Sequence, residues 1–597
     1  MNNNFKFIGS FEELKSKIGD MSDQGEWIDL NDNQKQFRHK SNKGILNWFP
    51  STGTISFQGK QEGQLLLKDV FSRILNIENP VEENLSIINS ISSEKTESME
   101  ASSYISDKSE LVIGLVGAVG TNLKSIVGHL QERLNIFGYS SDEIRISKDI
   151  ISSIVNIEYN ESDEYDRISK LMDAGNLARE KSKDNSVLAL GAVAEINKSR
   201  LKNEEDEPQP QPKKAYIINS LKHPEEVARL REIYSSGFFL VGVFADKKRR
   251  GNYLINEKRI LNENVENLIA RDEDEHLSHG QCTSETFHLS DFFIHIDESI
   301  DESQNKMKNS LNRILEILFG HPYKTPTFDE FAMFMAFSAS LRSADLSRQV
   351  GTVIAKDEQI LATGANDCPK CGGGLYWPFY DSKNFEIKDM EGGRDYKRGY
   401  DSNKEEQNSI ISNIINEIKS ECPDINLENL QKVLKKTKIK DITEYGRVVH
   451  AEMEALLSCS RSNISTKDAT LYCTTFPCHN CAKHIIASGI NRVVYVEPYP
   501  KSKAIEFHSD SIKFDFYGKN NSNNVCFEPF IGVGPRRFID LFSMKFGSGY
   551  SLKRKEKDGS TVEWKEESAK LRIQLLPLSY LEREIKGTAV FNKFRIQ

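Results

Sequence analysis

One histidine, two cysteines and a glutamate are spaced in this chain as a reactive metal centre would require. His450 is followed two positions later by Glu452, and Cys478 and Cys481 stand three apart in Pro477-Cys478-His479-Asn480-Cys481. Imidazole nitrogen and thiolate sulfur are donors that Zn2+ takes in a tetrahedron, and a catalytic zinc keeps its fourth position for water. His450, Cys478 and Cys481, with no fourth ligand nearby in sequence, fit that open arrangement. Glu452 is too close to His450 to share the ion easily, but its carboxylate can reach the water and move protons. The bland alternative is a closed zinc knuckle with His450 as a purely architectural ligand, which leaves Glu452 and Pro477 without a role.

The surrounding pattern says which elements must carry these groups. Val448 to Leu457 has the spacing of a helix start, with His450 and Glu452 in its first turn. Ala469 to Thr474 reads as a buried strand, and Cys478 to Ser488 resumes the helical period. Both ligand groups therefore fall at helix N-termini, where the dipole and free N–H groups favour thiolate. H-x-E joined to P-C-x-x-C is the signature of the zinc deaminases that act on cytosine or adenine, with the glutamate as proton shuttle. Upstream, Phe328 to Leu341 has helical spacing, while Gln349 to Ile354 and Gln359 to Ala365 read as paired strands. Helix, hairpin, His450 helix, strand, Cys478 helix, strand is the order of the three-layer α/β/α cytidine-deaminase fold.

The chain of 597 residues is too long for one core. Its 38% hydrophobic and 28% charged residues suit a soluble globular protein, and a net charge of −9 argues against wholesale nucleic-acid binding. No signal peptide or membrane span is predicted, and nine scattered cysteines suit reduced thiols, so the expected compartment is the cytoplasm.

Five segments follow. Residues 1–80 form a small α+β module, with strands over Gly44 to Pro50 and Gly53 to Lys60 and a helix over Gln64 to Leu75. It resembles the TATA-box-binding-protein-like module of type III ribonuclease H enzymes, and a scaffold role stands beside nucleic-acid binding. Residues 81–109, rich in Ser, Glu and Asn, are a linker. In 110–322, the run Leu111 to Gly117 leads into a glycine-rich turn and a helix, the layout of a phosphate-cradling loop with Gly117, Gly120, Lys124 and Ser125 as nucleotide contacts. Leu123 stands where a glycine belongs, and the lysine comes one residue late. Later strands over Ala215 to Leu221 and Phe238 to Phe244 make a doubly wound parallel sheet that resembles the P-loop nucleoside-monophosphate kinases. Nucleotide binding without transfer, phosphoryl transfer and a bare platform are the three readings, the first favoured by the degraded loop. The charge run Arg271 to Glu275 reads as a solvated face. Residues 323–550 form the deaminase domain and 551–597 a C-terminal extension.

Within the deaminase domain, Ser347-Arg348-Gln349-Val350-Gly351 and Gly364-Ala365-Asn366 resemble the deoxycytidylate-deaminase branch. The resemblance implies that Asn366 contacts the sugar and Arg348 lies near substrate or its phosphate; a turn residue and a surface charge are the alternatives. Cys368 and Cys371 are half of a zinc knuckle with no partner pair in view, so one zinc is expected rather than two. Glu391 to Arg394 reads as a surface turn, with a loop over the substrate as the alternative. Tyr499 and Lys501, beyond a strand end, are substrate-binding candidates, and Gly532 to Arg537 offers another phosphate contact. As a whole, residues 110 to 550 resemble the bacterial two-domain deoxycytidylate deaminases of anti-phage defence, on His450-Ala-Glu-Met-Glu-Ala-Leu and Cys473-Thr-Thr-Phe-Pro-Cys-His-Asn-Cys above all. That resemblance implies deamination of dCMP and dCTP, depletion of cytosine nucleotides, homo-oligomers and a restrained enzyme, in some members held by a small regulatory RNA. A nucleic-acid deaminase and a non-enzymatic nucleotide- or RNA-binding switch are the rival classes.

Overall fold

The computed structural model describes residues 5–7, 10–18, 25–31, 33–39, 44–59, 67, 109–201, 208–273, 280, 282–296, 300–422, 426–442, 444–497, 502–514, 524–575 and 577–595. These fall into two compact units, Met1–Tyr104 and Ile105–Gln597.

The first unit is an antiparallel sheet in the order β1-β5-β4-β3-β2. The expected hairpin is β4 (Gly44–Phe49) with β5 (Thr54–Gly59), and β1 is Phe5–Lys6. β2 (Gly25–Asn31) and β3 (Gln34–His39) escaped the pattern because β3 alternates only weakly. Gln36, on the face opposite the core residue Phe37, is buried and donates to Asn47 at 2.7 Å rather than packing on apolar groups. Phe37, Leu46, Trp48 and Ile55 form the core with Leu14 of the helix Phe11–Ile18. The expected Gln64–Leu75 helix lies outside the described residues except for Leu67, and so does most of the linker.

The second unit holds two six-stranded sheets. In the first, five parallel strands run β7 (Ser140–Arg145), β8 (Lys214–Asn219), β6 (Leu111–Gly117), β9 (Phe238–Phe244), β10 (Phe292–His295). β6 and β9 are apolar almost throughout because helices cover both faces. The second sheet runs β12 (Gln359–Ala365), β11 (Gly351–Lys356), β15 (Thr470–Thr475), β16 (Arg492–Glu497), β18 (Val525–Pro529), β17 (Ile512–Lys513). β11 is antiparallel to β12 and β15, and the rest are parallel. The pleat sorts its residues: Leu471, Cys473, Val493 and Tyr495 pack beneath the helices Ala451–Arg461 and His479–Ala487. Tyr472, Val494 and Val496 pack on the helix Phe328–Ser340. Three layers result, α/β/α. Between β12 and the Ala451–Arg461 helix stands a long insertion that includes the hairpin β13 (Phe379–Asp381) and β14 (Glu386–Lys388).

The sheets are covalently and electrostatically tied. Three residues after β18 ends in the second sheet, β19 (Gly532–Val533) pairs with β10 of the first. Glu330, fully buried, accepts from the Val533 N–H at 2.8 Å and from Arg313 at 2.7 and 2.8 Å, and caps the Phe328–Ser340 helix with Thr327. Asp291, also buried, accepts from Leu240 N–H, Arg231 and Arg537. Arg537 is therefore a structural cation; it also donates to the Phe238 carbonyl at 2.7 Å and to Asp540 at 3.5 Å. The segment read as a phosphate contact is spent on this junction. Likewise, residues 551–597 are not appended at the periphery: Leu571 and Ile573 enter one face's core of the first sheet and Leu575 the other. The helix Pro577–Asn592 lies on the helix Val187–Arg200, where Arg200 meets Glu110 at 3.0 Å and pairs with Glu584. Among the described residues no helix is long and apolar enough to cross a membrane.

Glu330→Ala strands Arg313 and the buried Val533 N–H together. We expect it to lower stability by roughly 3 kcal/mol, read as a shifted urea midpoint for the second unit.

Candidate active site

Helix starts supply all three candidate ligands. His450 is the N-cap of the Ala451–Arg461 helix, Cys478 the N-cap of His479–Ala487, and Cys481 lies in the first turn of the latter. His450 Nδ1 is 3.4 Å from Cys478 Sγ and 3.4 Å from Cys481 Sγ. A tetrahedral Zn2+ with ordinary Zn–N and Zn–S bonds sets its nitrogen and sulfur ligands about 3.5 Å apart, so the donor set fits the ion in type and spacing. Among the described residues this is the one His/Cys/Asp/Glu group so gathered. Cys368 is buried against Asp395, with its thiol pushed up to about 11 chiefly by burial, and Cys371 is exposed.

The three donor atoms perturb one another strongly. The two sulfurs share one proton: the hydrogen bond from Cys481 and then the charge of His450 hold the Cys478 thiol down at about 4. Cys481 is driven well above its ordinary range by the same bond and by burial. Bonding to Cys478 raises His450 to about 9. Glu452, in the first turn and 4% exposed, has its carboxyl raised by burial, which the nearby His450 charge only partly offsets. A carboxyl so placed holds and releases protons nearer neutrality than one in water.

The height of the His450 helix is set by Gly364 of β12. A Cβ on Gly364 would stand 2.1 Å from the Ala451 carbonyl oxygen and 2.6 Å from the Ala455 nitrogen. The helix axis thus passes over a strand position that only glycine can occupy. Two residues on, Asn366 is buried, accepts from Val350 N–H at 2.7 Å and donates to the Arg348 carbonyl at 2.8 Å. Asn366 holds the 348–350 segment in place and keeps one N–H and one lone pair over. Arg348 is half exposed and reaches Glu497 at 3.6 Å, at the edge of β16 beside Thr475. That edge is where the chain leaves β15 for Cys478, so Asn366 and Arg348 border the metal centre's side of the sheet.

Tyr499 and Lys501 lie outside the described residues. Their neighbour Ser502 donates to the Pro477 carbonyl at 2.8 Å, tying that loop to the Cys478 turn. Arg394, expected on a surface turn, is buried and bonds the Tyr376 carbonyl, Asp389 and Asp367. Of the loop residues, Gly117 and Gly120 line a cavity, whereas Lys124 is exposed and neither it nor Ser125 reaches it. Two cavity residues carry no local motif and were not legible: Lys222, and Asp272 from a charge run read as solvated, which is wholly buried.

Comparison with known proteins agrees with this geometry. Residues 326–497 match the family model described as the cytidine and deoxycytidylate deaminase zinc-binding region. The deoxycytidylate deaminase of Enterobacteria phage T2 is 32% identical over 171 residues, 28% of this chain and 79% of that protein. This chain belongs to the deoxycytidylate deaminase family. Its Saccharomyces cerevisiae relative, also a deoxycytidylate deaminase, is 25% identical over 293 residues, 48% of this chain and 76% of that one. The dCMP deaminase of cyanophage S-TIM5 in apo form overlaps 35% of this chain and 100% of its own at 19% identity, with a TM-score of 0.19. As a family member the protein is a hydrolytic deaminase, and Zn2+ is its metal.

Gly364→Ala should push the His450 helix off the sheet and separate His450 from the thiolates. Zinc content by mass spectrometry is expected to fall below about half of wild type, with helical circular dichroism retained.

Proposed function

We propose that the protein deaminates deoxycytidine nucleotides, dCMP, dCTP or both, to the deoxyuridine nucleotides. The observation that carries this is the buried Glu452 carboxyl, two residues from His450 and set beside a zinc-type triad. His450, Cys478 and Cys481 would hold the zinc, which when bound would supply a water acidic enough to act as nucleophile near neutral pH. Glu452 takes the proton of the attacking water and gives it to ring N3. It then takes the remaining proton from the C4 hydroxyl and passes it to the departing amine, so that C4 ends as a carbonyl and ammonia leaves. In this reading the remaining N–H and lone pair of Asn366 meet the sugar hydroxyl, Arg348 faces the phosphate, and Tyr499 and Lys501 complete the nucleotide site.

The reading extends to context. A cytoplasmic homo-oligomer that drains cytosine nucleotides would starve phage DNA synthesis, and such an enzyme must be restrained, by a small RNA or by a nucleotide at the 117–125 loop. Its support is the joining of a deaminase to a second, nucleotide-type parallel sheet, the arrangement that the sequence resembles in anti-phage deaminases.

The test is ammonia release from dCMP, dCTP and a short cytosine-bearing oligonucleotide by the full-length protein. We expect turnover of the nucleotides and none of the oligonucleotide; the reverse pattern would sink the proposal in favour of a nucleic-acid deaminase. Glu452→Ala is expected to lower kcat by roughly a thousandfold while bound zinc, measured on the same sample, stays stoichiometric.

A further inference from the structure

A second cavity lies in the first sheet, at the carboxyl end of the central strand β6, where doubly wound sheets bind ligands. Its volume is about 220 Å3. One end is the Gly117–Thr121 turn, which Gly120 makes with a φ of +85° while its Cα packs against the Arg250 backbone. Ile168, Leu171 and Met172 of the helix Glu164–Ser182, with Ile151 and Leu188, make an apolar wall. Four charged residues line the cavity: Arg167, which is paired with Glu164, and Asp272, Lys222 and Arg179, none of them singled out by a sequence motif.

Asp272 is wholly buried, and its two oxygens occupy the positions a phosphate would take at such a turn. Oδ2 accepts from Val119 N–H at 2.8 Å, and Oδ1 from Lys222 Nζ at 2.7 Å. Lys222 also donates to the Gly117 carbonyl at 2.8 Å, so the cation at this loop comes from beyond β8 rather than from the loop's own lysine. Across the cavity, Arg179 is 2% exposed. Its Nη2 meets Glu226 at 2.8 Å, while Nε and Nη1 have no hydrogen-bond partner. Buried guanidinium N–H groups are rarely left so, because each forgoes its water without a replacement. Thr121 Oγ1, on the cavity lining, is likewise buried without a partner. The cavity thus has an anion position filled by the chain's own carboxylate, unspent donors opposite it and an apolar surface between.

We infer that this cavity binds a phosphate-bearing nucleoside, held by Val119 N–H, Lys222 and Arg179, with Asp272 as a built-in competitor that the phosphate displaces. The inference rests on the reading of the 117–125 loop as a nucleotide site, and changes which side chains do the binding: Lys222 and Arg179 in place of Lys124 and Ser125. Leu123 explains the change. It is buried in the core of the sheet as the first residue of the helix Leu123–Ile136, which leaves Lys124 on the solvent side.

Isothermal titration of the full-length protein with ATP, AMP and inorganic pyrophosphate tests this. Asp272→Asn removes the competing charge and is expected to tighten binding by about fivefold. Lys222→Ala should weaken it by about tenfold. The double variant Lys222→Ala/Asp272→Asn, which leaves no unpaired buried charge, should stay weak and so excludes misfolding as the cause. Arg179→Lys keeps a cation for Glu226 but not the unspent N–H groups, and should also weaken binding by about tenfold. Lys124→Ala should change it by less than about twofold. Binding that Lys124→Ala abolishes and Lys222→Ala spares would overturn this assignment and leave the nucleotide reading standing. Failure of wild type and Asp272→Asn alike to bind any of the three probes would overturn both.

Discussion

The carbonyl of Ala451 rests almost where a side chain on Gly364 would begin, and the active-site geometry depends on that contact. A helix that close to its sheet has no room to tilt or slide, since packed interiors relax poorly around even one added carbon. The N-cap His450 is therefore delivered at a fixed height over β12. The second ligand pair arrives at the start of a helix launched from β15, which packs on the same sheet and against the His450 helix. Two sulfurs and an imidazole brought within 3.4 Å are poorly satisfied by each other. A divalent cation held by all three would tie the two helix starts together, so metal binding would favour this packing of the helices on the sheet.

What was legible in the sequence was local. His450, Glu452, Cys478 and Cys481 declare themselves because the chemistry needs short spacings within single helix turns, and the strands around them alternate cleanly. Asn366 was visible as a motif residue, but that both ends of its amide are tied to residues 348–350 depends on a β-hairpin closing. Glu330, Asp291 and Arg537 gave no signal, or a misleading one, because a charge fully buried by partners far along the chain looks in sequence like any surface charge. The same holds for Asp272, in a run that reads as solvated. The C-terminal residues 551–597 carried too few apolar positions in sequence order to reveal that they complete the first sheet's core; their partners are hundreds of residues away.

The long insertion between β12 and the His450 helix illustrates a further limit. Its Trp377, Tyr380, Phe385 and Ile387 are more than half exposed, while its Arg394 is buried among two carboxylates and a carbonyl. Hydropathy alone predicts the reverse. Arg394 is inside because its guanidinium fork ties Asp367, directly after Asn366, to Asp389 and the Tyr376 carbonyl. Five fixed donors can satisfy such a cluster where a lysine could not. The insertion is thereby anchored at the residue next to the site.

Two sheets with separate cores would ordinarily be free to shift against each other, but the junction of this pair is made of charges. Glu330 and Asp291 are each wholly buried and each accept from three groups spread over both sheets' neighbourhoods. Apolar contacts such as Phe293 with Phe530, at 5.6 Å, would tolerate a small slide at little cost. A buried carboxylate does not, because moving one residue along strips it of donors and exposes its full desolvation penalty, several kcal/mol per ion. The ionic junction thus converts an approximate hydrophobic fit into one relative placement. The strand that crosses it, β19, starts three residues beyond the end of β18, and β18 belongs to the sheet whose β15 and β12 carry the chain into the Cys478 turn and the Asn366 segment.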